Sequence, residues 1–368
     1  MSGISRRQMI QSVLMGGAAI AVGGDLALGQ AVPNSQQIIP PKGIEETQPR
    51  LQGIRRVIVD TDPGNDDALA LLMAMAAPQL VVEAVTVCPG NMGQEGYDQQ
   101  VRNALFMVDL AGKSGQVKVY RGMAKPILNR PYPVATFIHG KYGLGDVQVP
   151  EVKQKVENEH AVDAMRRIVN GAPGEVTILA LGGLTNVAMA MLRDPEFTRN
   201  LKGILFVGGK YAVPTMAASY NVLVDPEAAH VVMTSGVKIT MTADSSGRDS
   251  ILVDADYDQA ATFHTKWSRF FIESNNLRRQ YETKYRGAAG SVNADPLALA
   301  LAIDPSIGQK FMSVYVRVEL EGEYTRGQVV YGDDIYSGHP VPPGNVDMCV
   351  AADSAKFKEL VFGTLKKG

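Results

Sequence analysis

The chain has 368 residues, 45% of them hydrophobic, enough for a large packed core in one or two domains. Its formal net charge is −2, with 36 Lys and Arg scattered against 38 Asp and Glu, which excludes nucleic acid as the main partner. The two cysteines, Cys88 and Cys349, exclude a disulfide framework; two buried free thiols are expected, a single bridge being the alternative.

The segment "SRRQMIQSVLMGGAAIAVGGDLALGQA" opens with Arg6-Arg7, continues through a weakly apolar Gly/Ala-rich run, and reaches small residues at Ala27, Gly29 and Ala31. This is the pattern of a twin-arginine export signal over residues 1–31, an address read by a receptor, so the mature chain is expected in the periplasm. The alternative is a membrane anchor. Gly16, Gly17, Gly23, Gly24 and Asp25 leave the run too short and too polar to span, so no stable anchor is expected. Residues 32–54, rich in Pro and Gln, read as a linker, and residues 55–368 as the domain.

From Arg55 onward, short β-branched runs alternate with helical patterns. "RRVIVD", "LVVEAVTV", "VKVY", "VTILAL", "GILFVG" and "VKITMT" are expected strands, and their continuous apolar character suits burial on both faces. "DDALALLMAMAA", "YDQQVRNALFMVDLAG", "EHAVDAMRRIVNGA", "LTNVAMAMLR" and "PEAAHVVMTSG" carry apolar residues at helical spacing. The alternation predicts a single α/β domain, a largely parallel, doubly wound (Rossmann-like) sheet flanked by helices. Ligands in such folds bind beyond the carboxyl ends of the strands. "DTDPGNDD", "CPGN", "GGLTN" and "GGKY" all follow strands and so converge on one rim.

"RRVIVDTDPGNDDALAL" places Asp60, Asp62, Asp66 and Asp67 within eight residues. Strand alternation puts Asp60 and Asp62 on one face, Pro63-Gly64 turns the chain, and Asp66 and Asp67 begin a helix whose dipole favours negative charge. A helix cap and a turn account for one or two carboxylates, not four on a rim. A hard cation with oxygen ligands accounts for the set, and calcium takes about 6–8 oxygens. An EF-hand starting at Asp60 is excluded, because its sixth and twelfth positions are Asn65 and Leu71 and Pro63 forbids the loop. A haloacid dehalogenase-type phosphatase also opens on a strand and Asp-x-Asp, and "VVYGDDIYS" with Asp333 and Asp334 mimics its late acidic motif. That reading leaves Asp66 and Asp67 without a role.

"DTDPGNDDALAL" resembles the signature of the inosine-uridine preferring nucleoside hydrolases. The likeness continues in family order through "VTVCPGN", "FIHGKYGLGD", "ILALGGLTNVAMA", "FVGGKY", "YNVLVDPEAAHVV", "ADPLALALAIDP" and "EYTRGQVV". The resemblance implies cleavage of the N-glycosidic bond of a ribonucleoside with a tightly held calcium ion. It implies Asp62, Asp67 and Asp295 as metal ligands with the backbone carbonyl of Leu181. Asp66, Asn91 and Asn221 would bind the sugar, and Asp62 would also act as general base. The partner would be a small nucleoside or riboside, and the assembly a homo-oligomer, dimer or tetramer.

Two departures from the family pattern stand out. Purine-active relatives carry a His immediately before the late Asp, where it protonates the leaving base; here that residue is Ala294. His139 in "IHGKYG" matches a second family His and is the catalytic candidate in its place, with a structural loop histidine as the alternative. Val213 and Ser219 stand where relatives carry Asn and Glu for the ribose 5′-hydroxyl. A catalytically impaired nucleoside or sugar binder on the same fold therefore stays open beside the hydrolase.

Overall fold

The computed structural model describes residues 44–211, 216–332 and 342–368. The apolar runs form a nine-stranded sheet: β1 (Ile44–Thr47), β2 (Arg56–Thr61), β3 (Val81–Val87), β4 (Lys118–Arg121), β5 (Val176–Ala180), β6 (Gly203–Val207), β7 (Ile239–Thr242), β8 (Gly308–Val314) and β9 (Val346–Ala352), in spatial order β1-β8-β9-β7-β6-β5-β2-β3-β4. From β4 to β9 every pairing is parallel, while β8 runs antiparallel to β9 and β1 antiparallel to β8. Every residue of β5, β6 and β7 is buried, as strands covered by helices on both faces must be. All six expected strands and all five expected helices are present.

One expectation about the chain's beginning is corrected. Residues 44–54 do not behave as linker: Ile44–Thr47 pairs as an edge strand, and Leu51 packs into the core. Arg50 donates from its backbone N–H and from Nε to the buried carboxylate of Asp347, at 2.7 and 3.0 Å. The expected export signal, residues 1–31, lies outside the described residues. Among the described residues no helix is long and apolar enough to cross a membrane. Cys88 and Cys349 are buried and free, as expected.

The topology fixes where a ligand can sit. The chain runs from β2 outward to β3 and β4, then returns to β5 on the other side of β2 and continues to β6 and β7. The reversal lies between β2 and β5, where a parallel sheet opens a crevice beyond its strand ends. There the Leu181 N–H donates to the Asp60 carbonyl and the Cys88 N–H to that of Thr61, so the strand-end loops are tied together.

Candidate active site and metal centre

At that crevice lies a cavity of about 300 Å³. Four of its walls are strand-end loops: Asp62 after β2, Asn91 after β3, Leu181 after β5 and Lys210 after β6. Asp66 and Asp67 come from the first turn of the helix Asn65–Ala76, and Asp295 from the first turn of Ala294–Ile303. These two helices pack together along apolar runs with no polar stripe, which brings positions more than 200 residues apart to one spot. Every residue assigned to the site from the sequence lines this cavity: Asp62, Asp66, Asp67, Asn91, His139, Leu181, Asn221 and Asp295.

The four-aspartate cluster of the sequence is divided in the fold. Asp60 is buried beneath the site, where one oxygen accepts from Thr86 Oγ1 at 2.7 Å and Asn186 Nδ2 at 2.8 Å. It does not line the cavity, and burial outweighs these bonds to raise its pKa to about 7. β2 ends at Thr61, so Asp62 has already left the strand and the alternation that paired it with Asp60 no longer applies. Asp295 supplies the fourth carboxylate instead. One oxygen each of Asp66, Asp67 and Asp295 lie within 4.8 Å of one another, all three residues buried.

Each carboxylate is aimed by its neighbours. Asp67 is the third residue of its helix: Oδ2 accepts from the Gly64 N–H at 2.9 Å, closing the first turn, and Oδ1 accepts from Thr61 Oγ1 at 2.5 Å. Asp62 Oδ2 accepts from the Asn91 N–H at 2.8 Å. Asn91 Nδ2 donates to the Asp62 carbonyl at 2.9 Å and to Asp67 Oδ2 at 3.3 Å. Two glycines seal this arrangement, since a Cβ at Gly90 would overlap Asp62 Oδ2 and one at Gly182 would overlap Asp62 Oδ1. Asn221 Nδ2 donates to the carbonyls of Leu181 and of Val207, the latter at 2.9 Å, which leaves its Oδ1 for a ligand.

The electrostatics follow from this crowding. Burial, then repulsion from Asp67 and Asp66, pushes Asp62 well above the carboxylate range, and burial with the same neighbours does so for Asp295. Asp67 is raised to about 6 by burial and Asp66. For Asp66 burial is outweighed by Arg278, whose Nη2 donates to Asp66 Oδ2 at 3.0 Å, and its pKa lies below the ordinary value. Oxygen donors alone, with no His or Cys in the cluster, fit a hard cation; one placed among Asp66, Asp67 and Asp295 offsets their repulsion.

His139 ends the short helix Thr136–His139. Its Nδ1 lies 2.5 Å from Asn65 Oδ1 and 3.2 Å from the Asn65 backbone N, so that side of the ring is occupied whichever tautomer forms. Burial, opposed by Asp66, lowers its pKa to about 4, and the ring is neutral at pH 7. Ser219 also lines the cavity, Tyr211 instead stacks on Tyr331, and Val213 lies outside the described residues, as do Asp333 and Asp334.

Sequence reasoning missed a second wall. Arg278, Glu282 and Arg286 line the cavity from the helix Lys266–Gln280, the π-helical turn Tyr281–Tyr285 that follows and the residue that caps it. Their spacing of four and eight residues, in "RRQYETKYR", is the signal that could have found them. Glu282 accepts from Arg286 Nη1 at 3.2 and 3.4 Å, and Phe137 meets Tyr281 at 5.1 Å between ring centroids.

Comparison with known proteins agrees with this site. A family model described as inosine-uridine preferring nucleoside hydrolase matches residues 57–359. Uridine nucleosidase 1 of Arabidopsis thaliana is 36% identical over 270 residues, covering 73% of this chain and 79% of that protein. The inosine-uridine preferring nucleoside hydrolase of Crithidia fasciculata is 32% identical over 317 residues, covering 85% and 98%. Among solved structures, a purine-preferring ribonucleoside hydrolase from Gardnerella vaginalis superposes with a TM-score of 0.76 at 29% identity, covering 85% of this chain and 100% of that one.

Proposed function

The chain belongs to the inosine-uridine preferring nucleoside hydrolase family, and from that premise we propose that it hydrolyses the N-glycosidic bond of a ribonucleoside or related N-riboside to base and ribose. The observation that carries this is the convergence of Asp295 with Asp66 and Asp67, from two distant helix starts, on a buried all-oxygen site matching the family's calcium centre. Family membership sets aside the phosphatase reading.

Asp67, Asp295, Asp62 and the Leu181 carbonyl would hold calcium, which supplies positive charge that acidifies water and orients the ribose diol. The protein's own groups do the rest. Asp62, with Oδ2 fixed by the Asn91 N–H, keeps Oδ1 to take the proton of the attacking water. Asp66 holds a ribose hydroxyl, and the remaining oxygens of Asn91 and Asn221 bind the sugar beside it. The carboxylates stabilise the oxocarbenium character that develops at C1′ as the base departs. His139 faces the departing base as a neutral imidazole, and the aromatic rings of Phe137 and Tyr281 stand at the same wall.

Ala294 and the neutral His139 favour a second reading, a binder that retains the metal and turns nothing over. One panel separates the two: a set of nucleosides, aryl ribosides and a phosphate ester, assayed for free base, reducing sugar and phosphate. Base and sugar released in equal amounts are expected. Saturable nucleoside binding without either product would establish the binder.

Arg6-Arg7 and the run after them support export to the periplasm, and family resemblance supports a dimer or tetramer. Replacing both arginines with Lys is expected to stop export. Sedimentation of the mature chain at the monomer mass would overturn the oligomer.

A further inference from the structure

We propose that Arg278 stabilises the departing base as an anion, taking electrostatically the role a proton donor would fill; the inference rests on the hydrolase reading above. Arg278 is 5% exposed and lines the cavity. Its Nη2 donates to Asp66 Oδ2 and to the Val292 carbonyl, two residues before Ala294, so the guanidinium sits on the wall from which the family's proton donor is missing. Nε and Nη1 are buried with no hydrogen-bond partner among the described residues. Two orphaned donors on a buried cation are costly, and such groups persist where a ligand completes them.

The alternatives on that wall are weak donors. Ala294 has a methyl group. His139 is held at Nδ1 by Asn65 and is neutral, so it offers at most a weakly acidic Nε2–H. Glu282 is engaged by Arg286. Arginine cannot release its proton, but it brings a fixed charge and directed N–H groups to a dry site.

The step then balances without a general acid. The C1′–N bond breaks and both electrons go to the base nitrogen. The negative charge spreads to an acceptor of the base that faces the Arg278 guanidinium. Water adds to C1′ and gives its proton to Asp62, and the released anion is protonated by solvent. The favoured substrates are therefore N-ribosides whose aglycone is stable as an anion.

The test compares kcat/KM of wild type, Arg278→Gln and Arg278→Lys on uridine and on 4-nitrophenyl riboside, with melting temperature and calcium content as controls. Loss of one preorganised donor costs on the order of 10²–10³-fold, and Arg278→Gln is expected to lose that much on uridine. On 4-nitrophenyl riboside, whose phenolate needs little help, the expected loss is under about 10-fold. Arg278→Lys should recover part of the uridine activity; if the Gln variant fails to fold, the Lys variant should show the same substrate dependence at smaller size. Equal losses on both substrates would mean that Arg278 only holds Asp66, and a gain would mean that it masks Asp66; either overturns the proposal. A wild-type protein that cleaves neither riboside would bring down the hydrolase reading and this inference with it, a pattern distinct from a substrate-independent loss.

Discussion

The acidic floor of the cavity and the wall facing it are built differently. Asp62 and Asp67 are held by backbone amides, by Thr61 and Asn91, and by glycines with no room for a methyl group. The wall of Arg278, Glu282 and Arg286 is held by side chains on one helix and the π-helical turn after it, with Ala294 beside it at the start of the helix Ala294–Ile303. A floor set by backbone contacts fixes the reaction class, because almost any change displaces a ligand. A wall set by side chains can be altered while the fold persists. If this division is right, substitutions in the floor abolish function and those in the wall reshape selectivity.

The largest effect is expected at Asp67. Asp67→Ala should lose calcium and reduce hydrolysis to background. The lost stabilisation should reach about 4 kcal/mol where calcium stands at about 1,000 times its Kd. Calorimetric melting with and without chelator checks it; wild type and variant that melt alike under both conditions would break the floor account.

Next is Gly90→Ala, whose methyl must displace Asp62 or the loop. Overpacking costs about 1–3 kcal/mol, and misplacing a catalytic group by an ångström costs about 10²-fold in kcat. A variant with wild-type kcat would show that Asp62 is not the base.

Smaller again is the contrast across the sugar. Asp66 and the metal site should demand the 2′- and 3′-hydroxyls, while the short Ser219 side chain lining the cavity should leave the 5′-hydroxyl dispensable. Removing a hydroxyl that a buried site pairs costs about 1–3 kcal/mol. 2′-Deoxyuridine should show at least that loss in kcat/KM, and 5′-deoxyuridine little or none. The reverse order would show that the 5′ end is bound by a group assigned no part here.

The smallest effect concerns His139. Its folded pKa of about 4 lies below the ordinary value of 6.5, so the unfolded chain binds the extra proton between those limits. The stability from keeping the ring neutral is therefore present above pH 6.5 and lost as pH falls toward 4. At pH 6 the loss from this group is about 1 kcal/mol. His139→Gln should flatten the pH dependence of unfolding between pH 6.5 and 5 by that order. An unchanged slope would place its titration elsewhere.

The floor and the wall also differed in how far the sequence revealed them. Continuous apolar runs identified β2, β3 and β5–β7, because strands buried on both faces leave no other composition. The polar "IEET" of β1 reads as linker, because this antiparallel edge strand buries one residue in four and has no such signature. Asp62, Asp66 and Asp67 were legible as a cluster. That Asp60 drops beneath them depends on where β2 ends, within a residue, which periodicity does not resolve. Arg278 was hidden for another reason: the face that buries Trp267, Phe270 and Phe271 continues into Ser274, Asn275 and Arg278, polar residues that read as a solvated end of the helix.

The central claim is that the buried carboxylates hold a cation on which glycosidic hydrolysis depends. The most direct measurement is release of free base and reducing sugar from uridine and inosine by purified protein, before chelation, after chelation with EGTA, and after calcium is restored. The account predicts equal amounts of base and sugar, loss of both on chelation, and recovery with calcium. Undiminished hydrolysis by fully chelated protein would contradict it, as would inactivity toward every riboside with calcium bound.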